Sequence, residues 1–149
     1  MIRFRQAADL DGCVAALRAV HEADAYPLNW PSDPGSWLNP AGLLAAWVHV
    51  DSDGAIAGHL AVQQPGELCR LFVTPAARRR SVGRDLVAEA TAWAAARDLP
   101  LTLNVTDEKR SAAVAFYEAT GWRHTHTEPA DWTGPDGGPV TLRHYRLGG

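Results

Sequence analysis

Apolar and polar positions alternate over Ile2 to Arg5, which predicts a first strand. From Asp9, read as an N-cap, apolar residues recur at Leu10, Cys13, Val14, Leu17 and Val20, the spacing of one helix face. Periodicity then stops between Tyr26 and Trp37, where Pro27, Pro31 and Pro34 with Gly35 forbid a long helix. Ala45 to Val50 and Ala55 to Gln63 read as strands around an Asp51-Ser-Asp-Gly54 hairpin turn. Leu68 to Val73 reads as another strand, ended by Pro75.

Val82, Leu86, Ala90 and Trp93 mark a helix running to about Arg97, and Leu101, Leu103 and Val105 alternate as a strand. Ser111 to Thr120 is a short helix closed by Gly121 at its C-terminal cap. A strand over Trp122 to Thr127, a Gly/Pro-rich turn from Thr133 to Pro139 and a strand from Val140 to Leu147 complete the chain. The order β-α-β-β-β-α-β-α-β-β, with helices spread along it, predicts one mixed α/β domain over residues 1–149.

With 149 residues, 46% hydrophobic and 21% charged, the chain can bury a genuine core. A net charge of −3 argues against a general nucleic-acid binder. Cys13 and Cys69 fall in apolar contexts without ligand-like spacing, which suits reduced core thiols. No leader and no apolar run of membrane length is seen, so a soluble cytoplasmic protein is expected.

Against this acidic background, Arg78, Arg79, Arg80 and Arg84 crowd a turn between a strand and a helix. The first N–H groups of a helix lack intrahelical partners, and its dipole adds positive charge, so an anion is the expected guest. A P-loop would need Gly-Lys-Ser/Thr at the helix start, and a dinucleotide fold Gly-x-Gly-x-x-Gly after the first strand; neither is present. His124, His126 and His144 lie on strands without recognisable ligand spacing, so no metal is expected.

Arg78-Arg-Arg-Ser-Val-Gly83 resembles the Arg/Gln-x-x-Gly-x-Gly/Ala turn of the GNAT superfamily of acyl-CoA-dependent N-acetyltransferases, departing from it at Ser81. Ala113-x-x-Phe-Tyr-Glu-x-x-Gly-Trp122 is similar to that family's second signature, with Arg110 where Asn is usual. The resemblance spans nearly the whole chain. It implies a mixed, mostly antiparallel sheet of six or seven strands flanked by helices, with acetyl-CoA as co-substrate and no metal.

By the same resemblance, Arg78, Arg79, Arg80, Ser81, Val82, Gly83 and Arg84 would hold the pyrophosphate, mainly through main chain. Leu71, Phe72 and Val73 would pair with the pantetheine arm, and the Val73 N–H would face the thioester oxygen. Glu67 either acts as the base for the amine or merely faces solvent at the strand end. Tyr117 would protonate the departing thiolate or, in the plainer reading, pack in the core with Phe116 and Trp122. Arg110 would reach the cofactor or be solvated.

Tyr26, Asn29, Trp30 and Trp37 would line the acceptor pocket or pin their loop to the core. The implied reaction is acetyl transfer to a primary amine, a small molecule before a protein, by a monomer or homodimer. The alternative is a catalytically silent acyl-CoA-binding domain.

Overall fold

The computed structural model describes residues 1–106 and 112–148. Seven strands form one sheet in the order β1-β2-β3-β4-β5-β7-β6. They are β1 (Ile2–Phe4), β2 (Leu43–Val50), β3 (Ile56–Gln63), β4 (Glu67–Val73), β5 (Thr102–Thr106), β6 (Trp122–Thr133) and β7 (Pro139–Leu147). Four helices intervene: α1 (Leu10–Asp24), the single turn α2 (Pro34–Trp37), α3 (Val82–Ala95) and α4 (Ala112–Ala119). The mixed α/β order read from the sequence is the one observed.

Apolar positions divide between two cores, one on each face of the sheet. Cys13, Ala16, Leu17 and Val20 of α1 pack on Leu38, Val48 and Phe72. Val82, Leu86, Ala90 and Ala94 of α3 pack with Leu60, Leu68, Leu103, Tyr117, Trp122 and Tyr145 on the opposite face.

Every strand pair is antiparallel except β4 and β5, whose one paired position is Glu67 with Thr102. Thr102 N–H donates to Gly66 C=O at 2.9 Å beside that pair. A Cβ on Gly66 would lie 2.4 Å from the Pro100 carbonyl, so only glycine allows this approach. Beyond the junction β5 follows β7 over five positions while β4 follows β3. The two parallel strands therefore diverge, and the β4 edge past Glu67 has no strand neighbour.

Two expectations change. Asp9 does not cap α1 with its side chain; a 3-10 turn (Ala7–Asp9) precedes the helix, and the Asp9 carboxylate accepts from Gln6 N–H and from Arg3 instead. β6 continues past Thr127 to Thr133, and the turn narrows to Gly134–Gly138, closed by Gly134 N–H to Gly138 C=O at 3.0 Å. The extension is nearly all exposed and irregular in register, so it shows no apolar alternation; Pro129 is tolerated because β6 is an edge strand.

Candidate active site

β4 would bury Leu68 and Phe72 on the same face if it were regular, yet they enter opposite cores. A bulge between the pairs Ala61–Cys69 and His59–Phe72 adds one residue and inverts the parity. Arg70 carries the irregular geometry at φ 55°, the left-handed region that a bulky residue seldom adopts. Leu71 and Val73 thereby pack toward the α3 core, while Phe72 stacks on His59 with ring centroids 5.1 Å apart.

His59 is fully buried, the one polar residue recorded at that depth among the described residues. Its Nε2 lies 2.9 Å from Arg5 Nη1, and its Nδ1 lies 2.9 Å from the Arg70 carbonyl. A guanidinium only donates, so Nε2 accepts and Nδ1–H donates to Arg70. Burial, above all, pulls the His59 pKa down to about 4, so the ring stays neutral at physiological pH. Arg5 also donates to Leu38 C=O at 2.9 Å and to the Asn39 side chain.

At the mouth of the divergent strands, α3 presents its N-terminus. Ser81 sits at the cap in the left-handed region, φ 62°, and makes no side-chain cap bond. The first ladder bond runs from Asp85 N–H to Ser81 C=O, which leaves the Val82, Gly83 and Arg84 N–H groups at the helix start. Arg79 also has positive φ, 65°. Thr74 N–H donates to Ala57 C=O on β3, and alternation turns the Val73 amide the other way, off β3 and toward the open edge.

The four turn arginines separate into two kinds. Arg78 pairs with Asp24 at the end of α1, and Arg80 holds Asp51 of the β2–β3 hairpin at 2.9 Å. Arg79 and Arg84 are exposed and have no carboxylate partner among the described residues. Arg110 lies outside the described residues.

Glu67 stands where β4 and β5 meet. Gln63 Nε2 donates to its carboxylate at 2.8 Å, and Asn104 Nδ2 on β5 lies 3.5 Å away. Tyr117, on α4, is 5% exposed and packs edge-on to Trp122 and Phe116. Its hydroxyl has no hydrogen-bond partner among the described residues. Burial first, and nearby Tyr26 second, hold its pKa above the ordinary tyrosine range.

The four acceptor-loop residues are not brought to one place. Trp37 meets Tyr26 edge-on at 6.3 Å, and the Arg70 guanidinium covers the Trp37 face at 4.0 Å. Arg70 Nε also donates to Trp37 C=O at 3.0 Å. Trp30 lies under Arg18 and beside His21 of α1, and Asn29 donates to Thr133 C=O at 2.8 Å, tying the loop to β6. One face of Trp37 is thus covered by Arg70.

His59, Arg5 and Arg70 were missed by sequence reasoning. The signal available was a histidine and an arginine inside otherwise apolar strand runs, Ile56 to Val62 and Leu68 to Val73. On β6 and β7, His126, Glu128 and His144 bring ligand atoms within 4.8 Å of one another. The two imidazoles stack 4.3 Å apart and 3° from parallel. His144 Nε2 lies 2.8 Å from a Glu128 carboxylate oxygen.

A divided sheet with a helix N-terminus at its mouth is a geometry that an extended anionic ligand would fit. A sequence profile described as an acetyltransferase (GNAT) domain matches residues 44–132. The chain belongs to the GNAT family of acetyltransferases and is by class an acyltransferase. No curated protein matches it.

Among solved structures, the ribosomal-protein-S18-alanine N-acetyltransferase of Escherichia coli is similar over 100% of this chain and 94% of its own, with TM-score 0.77 and 18% identity. A ribosomal-protein-alanine N-acetyltransferase from Brucella melitensis covers 98% of both chains with TM-score 0.77 and 23% identity. Arabidopsis thaliana NAA60, solved in complex with acetyl-CoA, covers 98% of this chain and 96% of its own, with TM-score 0.76 and 14% identity. At these identities the likeness is one of fold. Among the described residues, no helix is long and apolar enough to cross a membrane.

Proposed function

We propose that this protein transfers the acetyl group of acetyl-CoA to the primary amine of a small molecule, both substrates being bound together. The observation that carries the reading is the β4 edge, left without a strand partner by its divergence from β5 and facing the α3 N-terminus. The pyrophosphate takes the N–H groups from Arg79 to Arg84, with the Arg79 and Arg84 side chains free to add charge-assisted bonds. Arg78 and Arg80 brace the turn from outside. The pantetheine arm lies along the backbone of Leu71 to Val73 as a substitute strand, bonded by Leu71 and Val73, while Phe72 between them pairs with His59 of β3 and sends its ring into the α1 core.

Attack of the neutral amine forms the C–N bond and moves the carbonyl electron pair onto oxygen. Collapse of the intermediate then breaks the C–S bond. The nitrogen loses its proton to Glu67, reached through water, because reacting atoms and base must share a small volume. At about 3.3 Å per residue, Leu71 lies about 13 Å along β4 from Glu67 and Val73 about 20 Å. The strand geometry therefore favours the Leu71 N–H, rather than that of Val73, as the donor to the thioester oxygen, with Val73 holding the arm.

Tyr117 donates to the departing sulfur. Its raised pKa keeps the phenol protonated at neutral pH, so the proton is present when the thiolate forms. Tyr26 and Trp37 border the acceptor side beside Arg70. The free thiols Cys13 and Cys69 fit a cytoplasmic setting.

The test is thiol release from acetyl-CoA across a panel of small-molecule amines, amino acids and peptide N-termini. Turnover is expected with at least one small-molecule amine and a Tyr117→Phe variant slower by about tenfold or more. Acetyl-CoA binding without turnover on any acceptor would overturn the enzymatic reading in favour of a silent acyl-CoA-binding domain.

A further inference from the structure

The peptide between Arg70 and Leu71 lies in the β4 bulge, with Arg70 at φ 55°, and one side chain bonds its carbonyl. Its carbonyl is captured by His59 Nδ1–H at 2.9 Å, on the α1 side of the sheet. A trans peptide directs its N–H opposite to its C=O. Pulling the Arg70 oxygen toward β3 and α1 consequently turns the Leu71 N–H away from β3, into the gap between β4 and β5. No other described side chain contacts that carbonyl.

We propose that His59 is the positioning residue of this site: it aims the Leu71 N–H at the thioester oxygen by locking the Arg70–Leu71 peptide plane. The inference rests on the acetyl-transfer reading above, and assigns a role to a residue that never touches substrate. Two features fit this role better than simple core filling. The ring is fixed on both edges, Nδ1 by the peptide and Nε2 by Arg5, so tautomer and orientation are determined together. Arg5 is in turn bound to Leu38 and Asn39, and Arg70 to Trp37, so the lock also reaches the segment bordering the acceptor side.

A preorganised donor stabilises the oxyanion because it does not have to reorient as charge develops. Without His59 the bulge peptide loses the side-chain bond to its carbonyl, and the direction of the Leu71 N–H is no longer fixed. The pyrophosphate contacts on α3 do not depend on this peptide.

The variants His59→Asn and His59→Gln separate the two edges of the ring. Asn places its amide N–H near the Nδ1 position and keeps the bond to Arg70; Gln instead serves the Nε2 side and keeps the acceptor for Arg5. Full-length variants are compared by kcat, by CoA affinity in calorimetry, and by isotope-edited infrared spectra of bound acetyl-CoA labelled at its carbonyl carbon. His59→Gln is expected to lower kcat by about 10²-fold, the scale of losing one such donor, and to shift the bound carbonyl stretch back toward its frequency in water. His59→Asn should retain kcat within a few-fold and keep the wild-type stretch, and both should bind CoA within about threefold of wild type.

Equal kcat and equal carbonyl stretch in the two variants would overturn the role of His59, as would a Gln variant more active than Asn. Failure of the wild-type protein itself to bind acetyl-CoA would instead overturn the acetyl-transfer reading.

Discussion

Ser81 holds a backbone conformation that a side chain makes costly. At φ 62° it stands where the family pattern usually has glycine, and its hydroxyl makes no capping bond in return. The left-handed region costs an L-residue about 1–2 kcal/mol, part of which glycine gives back through its freer unfolded chain. Ser81→Gly is therefore expected to stabilise the protein by about 1 kcal/mol, seen as a Tm increase of roughly 3 °C in scanning calorimetry. Removing the Cβ also opens the turn to the pyrophosphate, so CoA should bind more tightly. A lower Tm together with weaker binding would refute both effects.

Motif spacing exposed Ser81 as the departure, whereas the one mark of Arg70, an arginine inside an apolar run, did not tell its role. An arginine in an apolar run reads as a strand residue facing solvent, whereas here it bends the strand and stacks on Trp37. A bulge residue is chosen by what surrounds it, and β-bulges without glycine leave no local mark.

Between elements, the decisive contact is the seating of α3 on β3. A Cβ on Gly58 would lie 2.8 Å from Val82 Cγ1, 3.0 Å from Leu86 Cδ1 and 3.3 Å from the Phe72 carbonyl. Val82 is the first residue of α3, and its branched side chain has little rotamer freedom, so the helix start itself must move. Gly58→Ala is expected to cost about 1–3 kcal/mol by overpacking and to weaken CoA binding by at least several-fold. Calorimetric titration measures the second effect; an unstable variant with unaltered CoA affinity would show that α3 can shift without disturbing the anion site.

The helices α1 and α3 and most of the strands were legible from periodicity, because each has an apolar face against one of the two cores. The far half of β6 was not, since an exposed edge strand needs no such pattern. Trp30 and Asn29 illustrate the same limit in the acceptor loop: their residue types suited a ligand pocket, yet they bind α1 and β6.

Across the whole molecule, two sheet segments, β1 to β4 and β5 to β7, share a single paired position between strands. A ligand lying between them replaces missing strand contacts and binds only the folded protein. Saturating acetyl-CoA should accordingly raise Tm by several degrees, growing with the logarithm of its concentration, as binding to the native state alone requires. Scanning fluorimetry over a concentration series tests this, and a Tm independent of acetyl-CoA would argue against a site between the segments. Hydrogen exchange should slow most at Leu71 and Val73, whose amides lack a strand partner on that edge.

The extra residue in β4 has a consequence for how this chain can change. The bulge absorbs one residue, so every later side chain takes the face it would have in a regular strand one residue shorter. Deleting Arg70 would remove the bulge and leave Leu71 and Val73 on the α3 side and Phe72 on the α1 side, so what is lost is the left-handed residue, its stacking on Trp37 and the carbonyl bonded by His59. The two cores can therefore do without the extra residue, and it is the strand edge both substrates would share that depends on it.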